Sequence, residues 1–257
     1  MLKAQRTCAA PTAASESEAS YWRARAGDEY ARQSYLRRFE GLPEAKSAMR
    51  RGDLAGIIYV PDVSTAAEIL ERIYSSANLA GAPTLGDAGD ESSREAKVLI
   101  RGALASAEPI GYSYAMVPQY ILVSPLLFGS LPVRNSCDVT ACIMHELKHV
   151  EDGRYGVTID GVRMEPSGGF GFRFLESIAE VRAYSAEFGY VQSRGIEASV
   201  TYLHDAYRNH VDFCNGLSRR TSWNEKEYLY GEKQLLQFPD LTITRSGGRY
   251  EVSFGGK

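Results

Sequence analysis

Apolar and polar positions recur along this chain with two periods, and each stretch of constant period predicts an element. Residues 56–60 (GIIYV) are a short apolar run ended by Pro61, which predicts a buried strand. Thr65 and Glu68 form a capping box, and Ile69, Leu70 and Ile73 follow at helical spacing, so a helix begins there. Residues 80–93 hold Gly, Pro, Asp and Ser and predict a long loop, with a further helix across 98–105. Residues 120–124 (YILVS) are β-branched, apolar and stopped by Pro125, the clearest strand of the first half. Ser136 or Asp138 caps a helix ending near Gly153. Residues 156–164 predict a hairpin that turns at Asp160-Gly161. A glycine-rich break at 167–171 precedes a long helix over about 173–192, and another helix covers 197–213. Residues 241–254 read as a closing hairpin around Ser246-Gly247-Gly248. There is no internal repeat, and the sum is an α+β protein, helix-rich with a small sheet.

The first fifty residues follow a different pattern. Residues 1–20 are rich in Ala, Ser and Thr without large apolar periodicity and read as a disordered arm. Residues 21–39 turn helical but heavily charged, with Tyr30, Tyr35, Leu36 and Phe39 as anchors and Gly27 as a weakness. The expected organisation is an arm (1–20), a helical N-terminal extension (21–50) and one catalytic domain (51–257). At 257 residues, 44% apolar, the chain is long enough to bury one sizeable core. A net charge of −3 with interspersed signs argues against nucleic acid as a partner. The four cysteines (Cys8, Cys137, Cys142, Cys214) fit reduced, buried thiols at least as well as bridges. No apolar run approaches a membrane span, and the N-terminus lacks the apolar region of a secretory signal. The expectation is a soluble protein, cytoplasmic as synthesised, or exported by a route without a cleaved Sec signal.

Chemistry concentrates in residues 145–149, HELKH, an H-E-x-x-H pattern that takes two of the chain's four histidines. Helical positions i and i+4 share a face, so His145 and His149 can reach one zinc ion. Glu146 projects beside them and can take the proton of a water activated by that ion, as the general base. The motif's helix has an apolar rear face of Val139, Ile143, Met144, Leu147 and Val150. A catalytic zinc needs a third protein ligand, and residues 150–160 contain no histidine. The downstream segment FLESIAEVRAYSAEF offers two acids one turn apart, Glu176 and Glu180, with Ala179 and Ala183 permitting close helix approach.

H-E-x-x-H followed by a helical glutamate resembles the gluzincin group of zinc metallopeptidases. HELKHVEDGRYGVTI and SIAEVRAYSA are similar to the light chains of clostridial neurotoxins, over about 45 residues, and to related bacterial effector peptidases. That resemblance implies a zincin-like domain, peptide-bond hydrolysis on a protein or peptide substrate, one zinc per chain, and Glu180 as third ligand. An alternative alignment, to peptidases with E-x-x-A-[DE], makes Glu176 the ligand and has Glu180 orient a histidine. No Arg-x-x-Tyr follows the motif, so no transition-state arginine is implied. Zincins usually bind substrate along an edge strand near the active helix, and residues 120–124 are the candidate edge.

A transition-state oxyanion needs a donor besides the metal, for which His204, His210 and Tyr155 are the candidates. With sixteen tyrosines in the chain, Tyr155 is more ordinarily a packing residue, and two histidines on a polar helix are ordinarily solvated. Cys142, one turn before His145, could offer a thiolate, although small cysteines are commonly buried in helix packing. Lys148, Glu151 and Asp152 read as the solvated side of the helix, with one of the acids able to orient a histidine. Two other functions stay open: a non-catalytic, zinc-containing binding module, and a bacterial effector or toxin with the same chemistry.

Overall fold

The computed structural model describes residues 24–25, 27–62, 65, 105–107, 119–129, 136–159, 162–164, 172–195, 198, 200–217, 241–247 and 249–254. Among these the chain is helix-rich α+β. In order it forms α1 (Glu29–Leu36), a 3₁₀ turn (Phe39–Gly41), α2 (Pro43–Arg51), β1 (Leu54–Tyr59), β2 (Ala105–Ala107), β3 (Gln119–Val123) and α3 (Leu126–Gly129). Then come α4 (Ser136–Tyr155), β4 (Val157–Ile159), β5 (Val162–Met164), α5 (Phe172–Arg194), α6 (Val200–Leu217), β6 (Leu241–Ser246) and β7 (Arg249–Phe254). The expected arm, and all of residues 66–104 with the helices expected there, fall outside the described residues.

The main sheet has the order β1-β3-β2, with β1 parallel and β2 antiparallel to β3. Ile57 pairs with Ile121 and Tyr59 with Val123, while the register shifts between Leu54 and Gly56. Residues 120–124 are therefore central, which corrects their assignment as an edge. The sequence carries the reason: Ile121, Leu122 and Val123 are all buried, as a strand covered on both faces requires, whereas a half-solvated strand alternates. The two outer described strands differ. β1 is sealed by side chains: Gln33 donates to the Ile57 carbonyl at 2.9 Å and accepts from Tyr59 N–H at 2.8 Å, and Glu40 accepts from Ile57 N–H at 3.0 Å. Unpaired strand edges invite misassociation, and α1 with the 3₁₀ turn supplies the missing ladder. Among the described strands β2 is outermost on the other side, and it runs beside α4.

The helical N-terminal residues belong to the same core. Asp28 caps α1 by accepting from Ala31 N–H at 2.9 Å. Leu36, Phe39, Leu42, Ala45 and Ala48 are buried in one cluster with Ile57, Ile121, Val139 and Ile143. Of the expected anchors, Tyr35, Leu36 and Phe39 are buried, whereas Tyr30 is 83% exposed. Tyr35 meets Phe39 edge-on at 5.2 Å and Phe128 at 5.9 Å, and buried Arg32 stacks over Tyr59 and Phe128 while donating to the Tyr59 hydroxyl.

Gly153 does not end α4, which continues to Tyr155. A Cβ at position 153 would sit 2.5 Å from the Gln119 side-chain amide nitrogen, so the end of that side chain packs over the glycine. Gly156, at φ +74°, ends the helix, and its N–H bonds to the Asp152 carbonyl at 2.8 Å. The expected hairpins both form, with Val157 opposite Met164 and Leu241 opposite Phe254. Among the described residues no helix is long and apolar enough to cross a membrane.

Candidate metal centre

One long helix, α4, lies between the apolar core and helix α5. Val139, Ile143, Leu147 and Val150 recur at helical spacing and are buried in the core. His145 and His149 lie roughly 200–240° around the helix from Ile143, so a rear face fixed by apolar burial aims both imidazoles at α5. A clamp sets the position of the two helices. Arg182 of α5 binds the buried Asp152 carboxylate of α4 with two hydrogen bonds of 2.7 and 2.9 Å, and Lys148 reaches the same carboxylate at 3.2 Å. Asp152 is thus occupied by cations, and Glu151 pairs with Lys148 at 2.8 Å, so neither acid is on a histidine.

Across this interface His145 Nε2 lies 3.1 Å from His149 Nε2 and 3.3 Å from the Glu180 carboxylate, which is 3.4 Å from His149 Nε2. Four ligands placed tetrahedrally at zinc–nitrogen and zinc–oxygen distances are about 3.3 Å apart, so these spacings are those of three corners of a zinc tetrahedron. His145, His149 and Glu180 are the group among the described residues able to share one ion. Two imidazoles and one carboxylate are also the donor types a catalytic zinc takes. The donor set fits the metal.

Electrostatics reinforce the pairing. Burial opposes a charge on His145, but hydrogen bonds to Glu180 and Glu187 outweigh it and raise its pKa well above 6.5. Burial acts to raise the pKa of Glu180, yet the two histidines hold its carboxyl well below the usual carboxylate range. Glu146 is buried beside His145, close enough for its charge to favour the imidazolium.

Sequence reasoning missed two residues here. Glu187 of α5 places Oε2 3.2 Å from His145 Nδ1, the nitrogen facing away from His149. Tyr184 sets its ring edge-on to His145 at 4.4 Å. Its phenol is pushed well above 10 by burial and by the charges of Glu180 and Glu187, so it stays protonated. The signal for both was present. Positions 180, 184 and 187 fall within about 60° of one helix face, so whatever faces Glu180 also faces the other two.

The remaining candidates lie as follows. Glu176 sits one turn before Glu180 on α5, but its side chain is outside the described residues. Tyr155 is 49% exposed at the end of α4, and its hydroxyl donates to the Asp53 carboxylate at 3.1 Å, which also pairs with Arg51. His210 is fully buried, packed against Phe188, Tyr207 and Tyr184, and not solvated as its helix suggested. His204 is half-buried on the same helix, and the three-residue donor group includes neither histidine. The expectation of reduced thiols holds for Cys142, which is in no disulfide and packs in the core, and not for Cys137, which is disulfide-bonded. Comparison with protein-family models, curated proteins and solved structures finds no match to this chain, so function is argued from the site.

Proposed function

We propose that the protein is a zinc-dependent endopeptidase of zincin-like architecture, its catalytic domain from about residue 51 onwards sharing one core with the helical N-terminal residues. The observation that carries this reading is the convergence of His145, His149 and Glu180 at zinc-ligand spacing, with buried Glu146 beside them. A zinc ion held there supplies Lewis acidity, which polarises a scissile carbonyl and makes water a nucleophile at neutral pH. Glu146 takes a proton from the attacking water and delivers it to the leaving amine. The burial of Glu146 keeps bulk water from competing for that proton. The substrate backbone, in this reading, extends along β2 (Ala105–Ala107), the outermost described strand beside α4, while the opposite side is sealed by Gln33 and Glu40.

Peptide-library profiling of zinc-loaded wild type and Glu146→Gln tests it. Wild type is expected to cleave and to stop on chelation. The variant is expected to keep its zinc and fold while losing about 10²–10⁴-fold in turnover. A zinc-loaded wild type that cleaves nothing in the library leaves a non-catalytic zinc module. A variant that loses its zinc means Glu146 has been given the wrong role.

A further inference from the structure

Resting on the zinc site proposed above, we propose that Glu187 is the positioning residue of His145, binding its Nδ1–H so that Nε2 faces the ion. Three observations carry this. The first is geometry, with Glu187 Oε2 3.2 Å from Nδ1 and the opposite ring nitrogen pointing at His149 and Glu180. Among the described residues His145 is the imidazole of the pair held at both nitrogens; His149 is held at Nε2. An imidazole whose Nδ1 carries a proton toward a carboxylate has one lone pair left for a metal, and that lone pair is on Nε2.

The second observation is burial. Glu187 is 1% exposed, flanked on α5 by buried Phe188 and Val191. Packing alone would favour an apolar residue there, because a carboxylate removed from water is strongly unfavourable unless it is paired. The charge it pairs with is His145. The third observation is support from a further helix. Tyr202 of α6 hydrogen-bonds Glu187 and is itself buried, its phenol pushed well above 10 chiefly by that burial. The line Tyr202–Glu187–His145 therefore joins α6, α5 and α4, with Glu187 holding His145 through Oε2. Neither Glu151 nor Asp152 competes for this role, since both are held by cations.

The test compares Glu187→Gln with Glu187→Met, side chains of similar size that differ in accepting a hydrogen bond. Zinc and cobalt affinities are measured by competition with a chromogenic chelator, with thermal melts reporting the fold. Glu187→Met is expected to bind about 10–100-fold more weakly. Glu187→Gln, whose amide oxygen still accepts Nδ1–H, is expected to recover most of that loss. A packing role predicts the opposite order, with Met equal to or better than Gln. A second readout needs no variant: cobalt-substituted wild type is expected to show a hyperfine-shifted imidazole N–H that exchanges slowly in D₂O. Wild-type affinity in the Met variant, equal losses in both, or no slowly exchanging N–H in the wild type overturns the assignment of Glu187. Failure of the wild type to take up either metal overturns the site itself, and with it this proposal.

Discussion

The two faces of α4 are made to opposite rules. Toward the sheet, Val139, Ile143, Leu147 and Val150 share one apolar cluster with Ile57, Ile121 and Leu36. Toward α5, His145 and His149 meet Glu180, and His145 also meets Glu187, so ionisable groups crowd this seam. Burying one Ile or Leu side chain contributes about 1.5–3 kcal/mol to folding, whereas burying a charge costs several kcal/mol before any partner is found. The apolar face supplies the stability with which the polar face is held in place. A buried polar seam of this kind is where a functional site is expected, which supports the proposed metal site.

Substitutions on the two faces should accordingly separate metal binding from stability. The largest effect is expected on the polar face. Glu180→Ala removes one of three donors and should weaken zinc binding by more than the roughly 10–100-fold typical of losing a group that only orients a ligand. Glu176→Ala is its matched control. The reverse ranking by metal titration would move the ligand to Glu176 and shift the family resemblance away from the neurotoxin light chains.

On the apolar face, Ile143→Ala should lower unfolding free energy by about 2–5 kcal/mol in denaturant titrations. Zinc stoichiometry of the folded protein should be unchanged. A variant that keeps its stability but loses its metal would erase the distinction between the faces.

Acid–base behaviour sharpens the comparison, since only the polar face titrates. In the metal-free protein His145 has a pKa raised well above 6.5, because its hydrogen bonds to Glu180 and Glu187 outweigh its burial. Its stabilising contribution is therefore complete below 6.5 and is lost as pH rises through the folded value. The metal must displace that same proton, so zinc affinity should climb over the window in which the metal-free melting temperature falls. Glu180, with its pKa held below the normal 4.5, contributes stability above that value and loses it in acid. Melts and zinc titrations from pH 6 to 9 check the opposed slopes, and parallel slopes would contradict the ligand role of His145.

The smallest effect is expected outside both faces. Tyr155→Phe removes a hydrogen bond to Asp53 and should cost about 1 kcal/mol of stability. Turnover and zinc content should stay at wild-type levels, and a large loss of turnover would return Tyr155 to the transition-state donors.

How far the sequence could be read follows the same division. The H-E-x-x-H helix was legible because a 3.6-residue apolar period and a pair of histidines at i and i+4 are local properties, and the helix forms where they predict. Glu180 was legible only as one of two acids, since helical spacing puts Glu176 on the same face. Glu187 was not singled out, because its role depends on the packing of α5 against α4, which Arg182 and Asp152 fix from far apart in the chain. Residues 120–124 read as a strand from the sequence, but as an edge strand, whereas the sheet holds them in its centre. Pairing partners 54–59 and 105–107 are remote in sequence, and only the unbroken burial of the run hinted at a central position. Gly153 looked like a helix end because a close contact with Gln119 and a stop leave the same mark on a sequence.

The central claim is that α4 and α5 together hold one zinc ion, and X-ray anomalous scattering at the zinc edge from crystals of the reconstituted full chain tests it most directly. The account predicts a single strong peak about 2.0–2.2 Å from Nε2 of His145, Nε2 of His149 and an oxygen of Glu180. A peak elsewhere in the chain, or none after zinc reconstitution, would contradict it.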